Sequence, residues 1–217
     1  MSSQAETTEP RRQRRNAEQS KKAILAAATH EFCTYGFPGA RVERIAQRSK
    51  ANMRMLYHYF GNKEGLYMAV LEEVYGEIRN EEQKLDLKNM PPIEGMRKLI
   101  RFTFDFFAKR THFIALINNE NLLKGRFLKR SDRIRAMTVP LVESLDDLIR
   151  RGQQEGLFRE DLDAVQLYVS IVAQSQIHVS NRYTLSILFN RDLGNPEWLE
   201  ERRAHSEALL MDYITAR

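Results

Sequence analysis

Apolar residues recur at Ile24, Leu25, Ala28 and Phe32, the three-to-four-residue spacing of a helix with one buried face. The pattern predicts a helix over 17–35, closed by Gly36 and the Pro38-Gly39 pair. Val42, Ile45 and Ala46 mark the inner side of a short second helix over 42–48. Ser49-Lys50-Ala51 makes a tight connection, after which Asn52 is placed to cap a third helix ending near Tyr59. Gly61 interrupts the period, and Asn62 is placed to cap a fourth helix running past Val74. The charge-dense stretch 72–88 extends that helix as a partly exposed connector, and Pro91-Pro92 marks a boundary. Beyond it, helical periods fit 92–109, 112–125, 131–155, 163–189 and 197–215, with no strand alternation and no repeat. The fold class is all-α. Residues 1–16 carry no apolar period and read as a disordered basic arm. The predicted organisation is that arm, a small domain over 17–62, a connecting helix over 63–90 and a larger domain over 91–217.

A chain of 217 residues with 42% hydrophobic positions is long and apolar enough to bury a core, so it reads as globular. The single cysteine, Cys33, excludes an internal disulfide framework and suits a reducing compartment. No run of eighteen apolar residues spans a membrane, and no apolar leader opens the chain, so a cytoplasmic location is expected. The net charge of +5 is unevenly placed. Residues 11–63 carry twelve Lys/Arg against Glu18, Glu31 and Glu43, which concentrates all the excess positive charge in a quarter of the chain. Such a segment attracts polyanions, nucleic acid above all, although a solvated basic face is nearly as good an account of charge alone.

Residues 42–60 have the layout of a helix-turn-helix: Ala46 is small where two backbones must approach, and Val42, Ile45, Leu56 and Phe60 supply inner anchors. The third helix then presents Met53, Arg54, Tyr57 and His58 on its other face, of a size to enter a major groove about 12 Å wide. The run Tyr35-Gly36-Phe37, Ile45-Ala46 and Leu56-Tyr57-His58-Tyr59-Phe60-Gly61-Asn62-Lys63-Glu64-Gly65-Leu66 resembles the DNA-binding domain of the TetR/AcrR family of regulators. The likeness covers about residues 20–70; the remainder resembles the family in helix number and length. It implies a helix-turn-helix domain followed by a ligand-binding and dimerisation domain. It also implies that Met53, Arg54 and Met55 approach bases or nearby backbone, while Tyr57, His58 and Lys63 hold phosphates. Two positions depart from the family pattern. Lys50 replaces the usual turn glycine, and Arg41 stands where a threonine usually caps the second helix, though its cation still suits phosphate. Arg54 is the first candidate for base reading, since a guanidinium pairs bidentately with guanine.

In the larger domain, polar residues interrupt apolar helices at 118–121 and 174–178. Phe104, Asn118, Asn121, Val172 and Gln176 are the candidates for a small-molecule site, with a place at a dimer interface or on the surface as at least as good an account of any one. The resemblance implies a homodimer through the helices over 163–189 and 197–215. Val169, Val172, Ile177, Leu185, Leu188, Trp198, Leu209 and Leu210 offer it apolar surface. It further implies a repressor released from a palindromic DNA operator by a small-molecule inducer. The alternative is a ligand-independent architectural or chromosome-positioning DNA-binding protein on the same fold; a cavity of a few hundred Å³ in the larger domain separates the two. An enzyme is not expected: the sequence holds no phosphate-binding glycine loop, no nucleophile elbow and no metal-type His or Cys pairing, so neither cofactor nor metal nor catalytic residue is assigned. Cys33 reads as a structural thiol rather than a redox sensor.

Overall fold

The computed structural model describes residues 11–216. Among them run ten α-helices: α1 (Arg11–Gly39), α2 (Val42–Ser49), α3 (Met53–Phe60), α4 (Lys63–Gln83), α5 (Pro92–Lys109), α6 (Thr111–Leu122), α7 (Asp132–Gln154), α8 (Ala164–Ser180), α9 (Arg182–Leu188) and α10 (Pro196–Ile214). Short 3-10 turns at Leu87–Asn89 and Leu128–Arg130 and an isolated bridge between Phe158 and Thr215 complete the described secondary structure. None of these helices is long and apolar enough to cross a membrane.

Three expectations change. Residues 11–16, read as irregular, belong to α1; they hold no glycine or proline, and their arginines and glutamine favour helix. The remainder of that arm, residues 1–10, lies outside the described residues. The helix predicted over 163–189 is two, because Asn181 leaves helical geometry (φ −111°, ψ 15°) and ends α8 before α9 begins. The chain divides into compact units at Leu71 and Glu72, inside α4 and not at Pro91-Pro92.

In the first unit, Ile24, Ala28 and Phe32 of α1 are fully buried with Ile45 of α2, Leu56 of α3 and Leu66 and Tyr67 of α4. Leu25 is only half-buried. Gly36 (φ 65°, ψ 174°) breaks α1, a conformation open to glycine. Phe37, just after the break, lies 5.1 Å from the Tyr67 ring, and Phe32 meets the same ring edge-on at 4.8 Å. Such aromatic contacts add about 0.5–1.5 kcal/mol each to the burial itself.

In the second unit α5 is central and packs against α6, α7, α8 and α10. Its Met96, Leu99 and Ile100 meet Leu145, Leu148 and Ile149 of α7, Leu167 and Ile171 of α8 and Leu210, Met211 and Ile214 of α10 in one core. The stretch read as a partly exposed connector has a buried side. Ile78 is fully buried, and Arg79 and Glu82 are buried beside it. Arg79 Nη1 donates to Glu82 Oε2 at 2.6 Å and to the Tyr168 hydroxyl at 3.3 Å, and that hydroxyl donates to Glu82 Oε1 at 3.0 Å. Burial nonetheless pushes the Glu82 carboxyl above its usual range.

Candidate nucleic-acid interface

The first unit mounts α3 on two anchored turns. The α2–α3 turn is held from within α2: Ala51 N–H reaches Ala46 O at 3.2 Å, the six-residue closure of a left-handed helix cap. Lys50 occupies that left-handed position (φ 55°, ψ 23°) despite its Cβ. A side chain here in place of the usual glycine costs about 1 kcal/mol of strain. Lys50→Gly should raise the thermal stability of the first unit by roughly 0.5 kcal/mol, the relief less the added unfolded-state entropy, while Lys50→Val should lower it. The two variants melting in the opposite order would contradict the assigned strain.

Both predicted caps form. Asn52 Oδ1 accepts from Met55 N–H at 2.8 Å to start α3, and Asn62 Oδ1 accepts from Gly65 N–H at 2.9 Å to start α4. Gly61 (φ 73°) lies between them. At the other end of α2, Arg41 makes no side-chain cap; its own N–H donates to Glu31 Oε1 at 2.9 Å. The same oxygen accepts from Arg44 Nε at 2.7 Å. Burial pushes the Glu31 carboxyl up, but the Arg44 guanidinium and the Arg41 N–H outweigh it and hold it below the usual carboxylate range. Glu31 thus ties α1 to the start of α2. The sequence reading passed over it, though it is one of only three acids in the basic segment.

With Leu56 as the inward anchor, α3 leaves Arg54, Tyr57 and His58 exposed together, and Met53 and Met55 half-buried at the edges. Arg41 is exposed at the start of α2, and Arg48 and Lys50 are exposed at its other end. Lys63 departs from a plain surface cation. Its Nζ lies 4.9 Å from the Phe37 ring centre and 3.4 Å from Pro38 O, and burial draws its pKa down. Tyr59 and Phe60 are half-buried, in edge contact with each other at 6.3 Å. Cys33 is partly buried and its thiol is pushed up to about 12 by burial, which leaves almost no thiolate for redox chemistry at neutral pH.

The ligand candidates do not converge on one site. Phe104 is buried and Val172 and Gln176 are half-buried, but Asn118 and Asn121 are exposed. The inner face of α6 is instead made by Phe113, Ile114, Leu116 and Glu120. A cavity of about 240 Å³ opens elsewhere in the unit, lined by Arg79, Glu82, Leu87, Met137, Pro140 and Ser144 among others and by none of the five candidates. Of the proposed dimer residues, Leu210 is in the chain's own core, while Val169, Ile177, Leu188 and Leu209 are exposed.

A two-helix motif with three exposed polar side chains on one face is common to many DNA-binding proteins; comparison with known chains decides among them. Residues 24–70 match the family described as bacterial regulatory proteins, tetR family, and residues 92–209 match the tetracyclin repressor-like C-terminal domain. The HTH-type transcriptional repressor NicS of Pseudomonas putida is 35% identical over 181 residues, covering 83% of this chain and 85% of that protein. The chain belongs to the tetR family. It is therefore a DNA-binding transcriptional regulator, in a family of regulators and not of enzymes. The HTH-type transcriptional repressor SCO4008 of Streptomyces coelicolor is 28% identical over 163 residues, covering 74% of this chain and 79% of that one. A putative transcriptional regulator of the same organism, SCO4942, shares the fold of this tetR-family chain with a TM-score of 0.68 at 24% identity, over 90% of this chain and 98% of its own. The ketosteroid regulator KstR2 of Mycobacterium tuberculosis gives 0.68 at 20% identity, over 91% and 95%.

Proposed function

We propose that this tetR-family regulator is a cytoplasmic repressor that binds a palindromic operator as a homodimer and leaves it when a small molecule binds the second unit. The observation that carries the DNA reading is the shared exposure of Arg54, Tyr57 and His58 on a helix fixed at both ends by Asn52 and Gly61. In this reading Arg54 reads a base, Met53 and Met55 pack against the groove, and Arg41, Tyr57 and His58 hold phosphates. Lys63, with its ammonium drawn over Phe37, contributes to phosphate binding from the edge of that face. Two relatives named as repressors support the direction of control. The cavity of about 240 Å³ supports ligand control over the architectural alternative.

The homodimer is supported by one apolar face. Gln174 accepts from Arg202 and His178 lies against Trp198, so later residues of α8 meet earlier residues of α10 and the helices run antiparallel. That register brings Val165 and Val169 level with Tyr213 and Leu209, each about half exposed. A two-fold axis through this face pairs the four side chains with their copies. Duplexes selected by the protein from a random pool should be inverted repeats with half-sites about 10 base pairs apart, or a multiple of that. Val169→Glu with Leu209→Glu should give a monomer that selects nothing. Single half-sites from the wild type, or undiminished selection by the double variant, would refute the dimeric reading.

A further inference from the structure

The second unit buries a group of polar atoms that its own side chains and backbone leave unpaired. His178 of α8 is 2% exposed, and neither ring nitrogen has a hydrogen-bond partner. One turn earlier, Ser175 is fully buried with an unpaired hydroxyl. Ser206 of α10 is the third such residue, 1% exposed. The imidazole is flanked by apolar rings: Phe104 of α5 stacks on it at 4.6 Å and 17°, and Trp198 of α10 stands at 6.0 Å and 59°. A neutral imidazole carries one donor and one acceptor, and a hydroxyl offers both; native cores seldom leave such groups unmade.

Charge adds a direction. Arg202 lies one turn before Ser206 and one turn after Trp198 on α10, and its Nη2 donates to the neutral Gln174 Oε1 at 2.7 Å. Among the described residues it is in no ion pair with a carboxylate, and burial alone draws its pKa down. Its positive charge also reaches His178, whose pKa is lowered to about 4, by burial first and by Arg202 second, with no acid opposing. The site therefore holds donors, a half-buried cation and flat apolar walls, and lacks an anion. Elsewhere in the unit the cations Arg79, Arg101 and Arg151 are each paired with an acid.

We propose that α5, α8 and α10 bind a small organic acid, its carboxylate held by Arg202, Ser175 and His178 and its apolar part laid against Phe104 and Trp198. This rests on the ligand-released reading above, though not on the cavity beside Arg79 and Glu82, which none of these residues lines, and it names the ligand class. Carboxylate–guanidinium contacts are the stronger, charge-assisted kind, which sets acids apart from neutral molecules of the same shape.

Trp198 is the chain's one tryptophan, so its fluorescence reports on the site directly. Benzoate and hexanoate, at millimolar concentrations, are titrated against benzamide and hexanamide on the full-length protein, with operator release followed in parallel. At least one acid should change the Trp198 signal saturably, with its amide roughly tenfold weaker. Arg202→Met should lose roughly that factor. Ser175→Ala should weaken the response to the acid while leaving the ligand-free protein as stable as before or more so, a sign that a merely structural serine would not give. Equal responses to acid and amide, silence from both acids, or full responses in both variants would overturn the proposal. An acid that binds without releasing the operator upholds the site and refutes ligand-controlled release. Release by neutral metabolites with both acids silent refutes the site and upholds release.

Discussion

Glu82→Ala should destabilise the second unit by about 3–5 kcal/mol, because it leaves the Arg79 guanidinium buried without its counter-charge. Both side chains are under a tenth exposed, so neither can recover its partner from water. The Tyr168 hydroxyl loses its acceptor at the same time, and its remaining neighbour, Arg79, only donates. Denaturant unfolding followed by Trp198 fluorescence measures the loss. The companion variant makes the reading specific. Glu82→Leu combined with Arg79→Met removes both charges and should recover most of the stability, since an apolar pair of similar volume carries no desolvation cost. A double variant as weak as Glu82→Ala would show that the buried pair is itself a strong net stabiliser and that its role here is misjudged.

Gly65→Ala should abolish specific DNA binding while leaving the second unit folded. A Cβ at Gly65 would lie 2.1 Å from the Phe60 carbonyl oxygen, backbone that has no rotamer to escape into. Relief requires the α3–α4 turn to move, and with it the end of the helix that carries Tyr57 and His58. Overpacking of this kind costs about 1–3 kcal/mol in side-chain cores and more against backbone. Gly61 gives the contrast within the same turn. Its Cβ would meet nothing within 4 Å, but its φ of 73° is strained for any other residue, so Gly61→Asn should bind DNA better than Gly65→Ala. Binding by Gly65→Ala at wild-type strength, measured by anisotropy on labelled duplex, would mean that the turn does not set the position of α3.

The first unit was largely legible because its signals are local. Asn52 and Asn62 cap the helices they were expected to cap, Gly36 and Gly61 break where they stand, and Val42, Ile45 and Leu56 point inward. Each depends on neighbours within four residues. What was missed depends on distant ones. Arg79 and Glu82 look like surface charges in an acidic stretch; only Tyr168, 86 residues beyond Glu82, reveals them as an interior network. Asn118 and Asn121 share a run with Glu120, but the helical turn exposes the two amides and buries the acid, whose Oε2 accepts from the Phe127 and Leu128 N–H groups. Lys63 reads as a free cation until the break at Gly36 brings Phe37 beneath its ammonium. Residues 11–16 of the arm were misread for a different reason: helix made of polar residues has no apolar period to show.

The central claim, that the exposed face of α3 reads DNA bases, is tested most directly by pairing Arg54→Ala with single base-pair changes across a selected operator. Loss of the guanidinium should erase discrimination at one position in each half-site, about 1–3 kcal/mol per position, and leave preferences elsewhere intact. Unchanged discrimination at every position, or a uniform weakening with no position affected, would contradict it.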